Sequence, residues 1–165
     1  MSQTGNYGFS LDVAQAGQLA GLDYDHIESF AAEGAIPFGR GVIFGTDATK
    51  QVAVPADATG TFAGIAVFTH SQEQGLDETA NLGQEYTTGA EYRDTDTVNV
   101  LRRGRVYGEL TEDGVTAGET AYVDVVTTGE EGKFTSVSTS NLATGGVFRT
   151  GGDTGDLVIV EIQLP

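Results

Sequence analysis

Short apolar runs, each followed by a glycine-containing turn, succeed one another along most of this chain. The clearest are residues 61–69, a continuous apolar run, and residues 157–164, in which alternate positions are apolar. Both patterns are typical of β-strands. Glycine accounts for 24 of the 165 residues, about twice its usual frequency, and it permits the tight turns that connect short strands. The pattern predicts an all-β fold with a single sandwich or barrel domain, jelly-roll-like in type.

Two segments depart from this pattern. Residues 1–30 are rich in Gln, Gly and Ala, and Tyr7, Phe9 and Leu11 alternate within them, as suits an extended segment laid along a groove or a sheet edge. We expect residues 1–30 to be an extended N-terminal arm, with a first-strand segment as the alternative, and the β domain to occupy residues 31–165. A polar stretch at about residues 70–95 exceeds ordinary connection lengths and predicts a hairpin insertion or a functional loop.

The net charge is −16, from 24 acidic and 8 basic residues. Such a field repels phosphate backbones and anionic lipid surfaces, so we expect no nucleic-acid partner and no membrane partner. Residues 1–10 lack the basic and apolar regions of a secretory signal, which predicts synthesis in the cytoplasm.

The residues that commonly carry chemistry are sparse. There is no Cys, so thiolate ligands and thiol nucleophiles are excluded. Asp23, Asp25 and His26 are the best candidates for metal ligands, but His70, the second of the two His residues, lies in a different segment, whereas zinc sites collect three or four ligands. No Gly-x-Ser-x-Gly motif is present. We therefore expect no catalytic, cofactor-binding or metal site, and no enzymatic activity.

A cluster of arginines reverses the local charge. Arg102, Arg103 and Arg105 are three of the 8 basic residues, and they lie in a region, residues 97–110, that is predicted to form strands with a bend or a hairpin at Gly104. Alternation along a strand places Arg103 and Arg105 on one face and Arg102 on the other. The pair either balances carboxylates of neighbouring strands or contacts a second subunit or a partner, where arginine binds carboxylates with two nitrogens.

A series of short motifs runs in order from residue 16 to residue 162. They are AGQLA at 16–20, IESF at 27–30, IPFGRGV at 36–42, FAGIAV at 62–67, VNVLRRGRV at 98–106, VTAGE at 115–119, GKF at 132–134, GVF at 146–148, and the apolar strand at 157–162. As an ordered set they resemble the structural cement (capsid decoration) proteins of tailed bacteriophages. Residues 70–95 are longer and more acidic than this resemblance leads us to expect.

The resemblance implies a non-enzymatic β protein that docks on the outer surface of the assembled major capsid shell and stiffens it. It implies the major capsid protein as a partner, synthesis in the cytoplasm of a host bacterium, and a small homo-oligomer, with a trimer favoured over a dimer. Candidate contacts with the shell or a neighbouring subunit are Tyr7, Phe9, Leu11, Arg103 and Arg105. Two alternatives remain: another virion component such as a head fibre or tail protein, and a carbohydrate-binding module, which the lack of Trp disfavours.

Overall fold

The computed structural model describes residues 14–21, 25–69 and 91–165. The predicted contact residues Tyr7, Phe9 and Leu11 lie outside these ranges, as do residues 70–90 of the predicted insertion. The described part is built from strands, and the predicted all-β class is confirmed. The strands are β1 (His26–Ala32), β2 (Ile36–Pro37), β3 (Gly41–Phe44), β4 (Gln51–Ala53), β5 (Phe62–Ala66), β6 (Glu91–Tyr92), β7 (Thr97–Glu109), β8 (Thr120–Val123), β9 (Phe134–Thr135), β10 (Leu142–Phe148) and β11 (Leu157–Gln163). Within the described ranges, no helix is long and apolar enough to cross a membrane.

The longest strand, β7, belongs to two rings of strands. Its first half pairs with both β1 and β5, so that β1, β4, β3, β5 and β7 close on themselves. Its second half pairs with β11, and the order continues through β10, β8 and β9. A parallel bridge between Leu110 and Phe134 returns β9 to the end of β7. Every strand of the nine-stranded sheet thus has a paired neighbour on each side, which protects a β protein from edge-to-edge aggregation.

The buried apolar residues form two clusters that correspond to these rings. Val100 and Leu101 are neighbours in β7 and point to opposite faces of the strand, so that each packs into a different cluster. The first cluster consists of Ala32, Ile36, Phe38, Val42, Val52, Ala63, Ala66, Tyr92, Val98 and Val100. The second consists of Phe62, Ile65, Val67, Leu101, Val106, Leu110, Val115, Ala121, Val123, Phe134, Leu142, Phe148, Val158, Val160 and Ile162. β7 is therefore the wall that the two cores share.

The predicted bend or hairpin at Gly104 is a bend inside the continuous strand β7. Gly104 has φ +133°, and the pairing of β1 with β7 shifts register between His26 and Ile27, beside this point. The pairing of β7 with β11 runs through Gly104 without interruption. A glycine here lets the strand turn from the first ring into the second while its hydrogen bonds continue.

The described part of residues 1–30 lies against the β domain. Gly17 donates a backbone hydrogen bond to Tyr107 (2.7 Å) and Ala20 donates one to Arg105 (2.9 Å), while Leu19 bridges Val106. Further on, β1 closes the first ring, so the expected boundary between residues 30 and 31 falls inside this strand. Residues 17–20 are thus held along β7 by backbone hydrogen bonds, and residues 26–30 are held to it as part of β1.

Gly17 shows how close this packing is. It has φ +82°, and a Cβ at this position would lie 2.7 Å from the Gly39 nitrogen and 2.8 Å from the Phe68 nitrogen. Both distances are too short for any side chain. Glycine at position 17 therefore allows this segment to pack closely against the β domain.

Candidate functional site: the arginine face of β7 and β11

Arg103 and Arg105 lie on the outer face of the second half of β7, and both are exposed. Across the sheet, Arg103 is paired with Gln163 and Arg105 with Glu161, both on β11. The two arginines line a cavity of about 290 Å³, whose wall also includes Asp25. The structure thus brings the two predicted contact arginines together at one concave site.

Arg105 is engaged with a carboxylate of its own chain. Its Nε lies 2.5 Å from Oε2 of Glu161. The same carboxylate accepts two hydrogen bonds from Arg149, from Nε and from NH2, each at 2.8 Å. Hydrogen bonds from Arg149 and Arg105 lower the pKa of Glu161 to about 2. For Arg105, this is the predicted balance between neighbouring strands.

Arg149 and Glu161 are members of this site that the sequence reasoning missed. Glu161 occupies one of the outward positions of β11, between the buried Val160 and Ile162, and the alternation marks it as a surface residue. Arg149 directly follows β10, and β10 pairs with β11 at Glu161 through Val147. The carboxylate alone could have been noticed from the pattern, whereas its partners depend on which strands pair.

Arg102 points the other way and is bound within its own chain. Its side chain is only 13% exposed. NH1 donates to the carbonyl of Ala63 (3.0 Å) and NH2 to that of Pro165 (3.2 Å). The guanidinium carbon lies 5.5 Å from the centre of the Phe44 ring, within cation–π range, and Nε lies 3.8 Å from a carboxylate oxygen of Glu28. Arg102 therefore holds the fold together rather than offering a contact to a partner.

Arg103 differs from the other basic residues. Within residues 14–21, 25–69 and 91–165, no ion pair or side-chain hydrogen bond includes it. The other Lys and Arg residues all have partners. Arg102, Arg105 and Arg149 are bound as described above, and Arg93 also has a partner. Arg40 donates to the carbonyls of Glu130 and Glu131, Lys50 pairs with Asp47, and Lys133 pairs with Glu109 and Glu130. In a chain with three times as many acids as bases, Arg103 thus lies on the cavity wall without a carboxylate partner among the described residues.

Asp25 forms part of the floor of this cavity. A Cβ at Gly104 would collide with a carboxylate oxygen of Asp25, so the side chain packs directly on the strand at its bend. The cavity therefore contains carboxylates of Asp25 and Glu161 as well as the two guanidinium groups, and its overall field is weak.

The residues considered for a metal site are only partly within the described ranges. Asp25 and His26 are described, whereas Asp23 and His70 lie outside. His26 Nε2 lies 3.4 Å from Oε1 of Glu28. Among the described residues, no group of three or more His, Cys, Asp or Glu side chains is placed to hold a metal ion.

Comparisons with known proteins give a family and a fold. The sequence profile of the family described as "Structural cement protein (E217 gp24/Pam3 gp6)" matches residues 2–163. A chain from the solved structure titled "The capsid of Myoviridae Phage XM1" has the same fold, with a TM-score of 0.68 and 21% identity, over 96% of this chain and 96% of that chain. No protein with a curated description matches the sequence.

Proposed function

Because the chain belongs to the phage structural cement protein family, we propose that it binds the outer surface of the assembled major capsid shell and stabilises it. Family membership makes it a structural protein of the phage capsid, of a non-enzymatic type. The observation that carries the proposal is the extent of the family match, residues 2–163, since it includes both rings and the arginine face rather than one motif.

The architecture suits a rigid element applied to a shell. The nine-stranded sheet encloses two apolar clusters joined along β7, and close-packed interiors transmit load with little deformation. A rigid body that contacts several shell subunits gains from multivalency, because each contact after the first is effectively intramolecular. The net charge of −16 keeps coated particles from adhering to one another.

The contacts of the proposed complex are assigned as follows. Tyr7, Phe9 and Leu11 precede the segment that is fixed along β7, and their alternating pattern suits main-chain pairing with the edge of a partner sheet. We assign these three residues to the shell or to a neighbouring copy. The protein acts as a homo-oligomer, with a trimer favoured over a dimer, since closed oligomers match the equivalent positions that a symmetric shell offers.

A binding experiment with shells that lack this protein tests the proposal. Purified protein is added to such shells, and electron microscopy is used to look for regular added density on the outer surface. Thermal disruption of the shells is measured with and without the protein, and the expected result is a higher disruption temperature with it. A variant lacking residues 1–13 is measured in parallel, because it lacks the assigned contact residues Tyr7, Phe9 and Leu11. Density confined to the tail or to a head fibre, or no binding, would overturn the proposal.

A further inference from the structure

Arg103 is the basic residue of this acidic chain for which the described residues provide no partner, although they contain abundant carboxylates. The Glu161 carboxylate is nearby but already accepts from Arg149 and from Nε of Arg105. An arginine guanidinium carries five N–H donors arranged to match a carboxylate. Arg103 lies on the cavity wall, and its donors are not used by any of the residues that the structure describes.

Arg105 adds further donors to the same cavity. Its hydrogen bond to Glu161 uses Nε, and its two terminal nitrogens have no acceptor among the described residues. The cavity, at about 290 Å³, has room for the end of an acidic side chain together with ordered water. Two guanidinium groups on one wall can hold a single carboxylate by more than two hydrogen bonds, as charge-assisted recognition favours.

We propose that the cavity between Arg103 and Arg105 receives an aspartate or glutamate side chain from a second copy of this chain. A second copy is the partner whose chemistry is known: with 24 acids and 8 bases, it offers a threefold excess of carboxylates over basic groups. Two copies that each carry −16 repel one another unless a basic site on one meets an acidic site on the other. The arginine face provides that basic site.

The carboxylates already present make the cavity selective. Glu161 is neutralised by Arg149 and Arg105, whereas Asp25 adds a negative charge at the floor. Because the resulting field is weak, free anions such as phosphate gain little there. A carboxylate delivered by a docked protein gains more, since the surrounding contacts hold it in the geometry that the guanidinium groups require.

The contact is compatible with more than one closed symmetry. In a two-fold dimer the cavity of each copy receives a carboxylate of the other, so that the contact occurs twice across one interface, whereas in a ring it joins each copy to the next. The inference goes beyond the proposed binding to the shell, because it concerns the contact between copies of this chain.

Zero-length cross-linking tests the inference without any shell present. Arg103→Lys keeps the positive charge and adds an amine that a carbodiimide joins to a carboxylate in contact. Copies labelled with heavy and light nitrogen are mixed, cross-linked and analysed by mass spectrometry. The expected product joins Lys at position 103 to an Asp or Glu of the other isotopic copy. Arg149→Lys is the matched control, and it should link within its own chain to Glu161.

A second variant measures the strength of the contact. Arg103→Glu should weaken self-association by at least about 30-fold, measured by sedimentation, with an unchanged circular dichroism spectrum. Cross-links confined to one chain, or a wild-type protein that stays monomeric at high concentration, would overturn the inference. An Arg103→Glu variant that assembles normally but fails to bind shells would also overturn it, because the occupant would then be the shell, while the proposed function would stand.

Discussion

Arg102 donates a hydrogen bond to the carbonyl of Ala63, 3.0 Å away, at the point on β7 where the neighbouring strand changes. Before this point β5 pairs with β7, at Ile65 and Leu101; after it, β11 takes over, and Leu164 donates to the carbonyl of Arg102 itself. Two strands that separate leave carbonyl groups without sheet partners. The Arg102 guanidinium supplies donors to one carbonyl from each side, those of Ala63 and Pro165.

Replacing Arg102 with Ala should therefore lower the stability of the fold. The partly buried carbonyl of Ala63 and the exposed carbonyl of Pro165 both lose a charged donor, and a hydrogen bond to a charged group is worth about 1.5–3 kcal/mol. Urea denaturation followed by circular dichroism measures the change. Arg103→Ala, one position along the same strand, is the control, and it should stay within about 0.5 kcal/mol of the wild type, as exposed sites do. Equal losses for the two variants would show that Arg102 has no special role at the junction.

Gly104 provides a second test of the bend in β7. Gly104→Ala places a Cβ against the Asp25 carboxylate and keeps a residue at φ +133°, so both strain and collision destabilise the strand. Gly114→Ala is the matched control, because Gly114 also has a positive φ, +75°, but its Cβ would meet nothing within 4 Å. The positive φ alone costs an alanine about 1–2 kcal/mol of stability, and this cost applies to both variants. Gly104→Ala should therefore melt at a clearly lower temperature than Gly114→Ala. Similar melting temperatures for the two variants would contradict the packing of Asp25 on the bend.

The acid sensitivity of the arginine face follows from the pKa of Glu161. Arg149 and Arg105 lower that pKa from 4.5 to about 2, so the contribution of Glu161 to stability is fully present above about pH 4.5 and is lost as the pH falls through about 2. Glu161→Gln should lower the thermal midpoint at neutral pH. The corresponding loss in the free energy of unfolding should be no more than about 1 kcal/mol, because the group is near the surface.

Melting curves measured between pH 2 and pH 7 check this prediction. The difference between wild type and Glu161→Gln should shrink as the pH approaches 2. Glu91→Gln is the control, because Glu91 is exposed on β6 and forms no ion pair with a described residue. A constant difference across the whole pH range would mean that the charge of Glu161 does not contribute.

The parts of this structure that could be predicted from the sequence are those that depend on local pattern. The alternation in residues 157–164 predicted a strand, and the structure has β11 at Leu157–Gln163. Alternation also placed Arg103 and Arg105 on one face. Patterns of this kind reflect which side of a strand is buried, and that information is contained in a few neighbouring residues.

The remaining features depend on contacts between residues far apart in the chain. The pairing of Arg149 with Glu161 requires β10 to lie beside β11, and the sharing of β7 between two cores requires β1, β5 and β11 to meet the same strand. Glycine is required at position 17 because the backbone nitrogens of Gly39 and Phe68 approach it too closely for a side chain. A single sequence does not show which segments approach each other, so the arm and the strand could not be distinguished there.

The N-terminal segment supports a final prediction, which uses two deletions. Removing residues 1–13 should leave the β domain folded, since the backbone hydrogen bonds that hold residues 17–20 to β7 remain. Removing residues 1–20 also eliminates the bonds from Gly17 to Tyr107, from Ala20 to Arg105 and from Tyr107 to Gln18, together with the contact of Leu19 with the second core. The longer deletion should therefore lower the melting temperature strongly or prevent folding, because each lost backbone bond leaves a group of β7 unpaired. Circular dichroism and limited proteolysis distinguish the two variants. If the deletion of residues 1–13 unfolds the protein, these residues are part of the fold and their assignment to the shell contact is wrong. If the deletion of residues 1–20 melts like the wild type, the segment along β7 contributes nothing to stability.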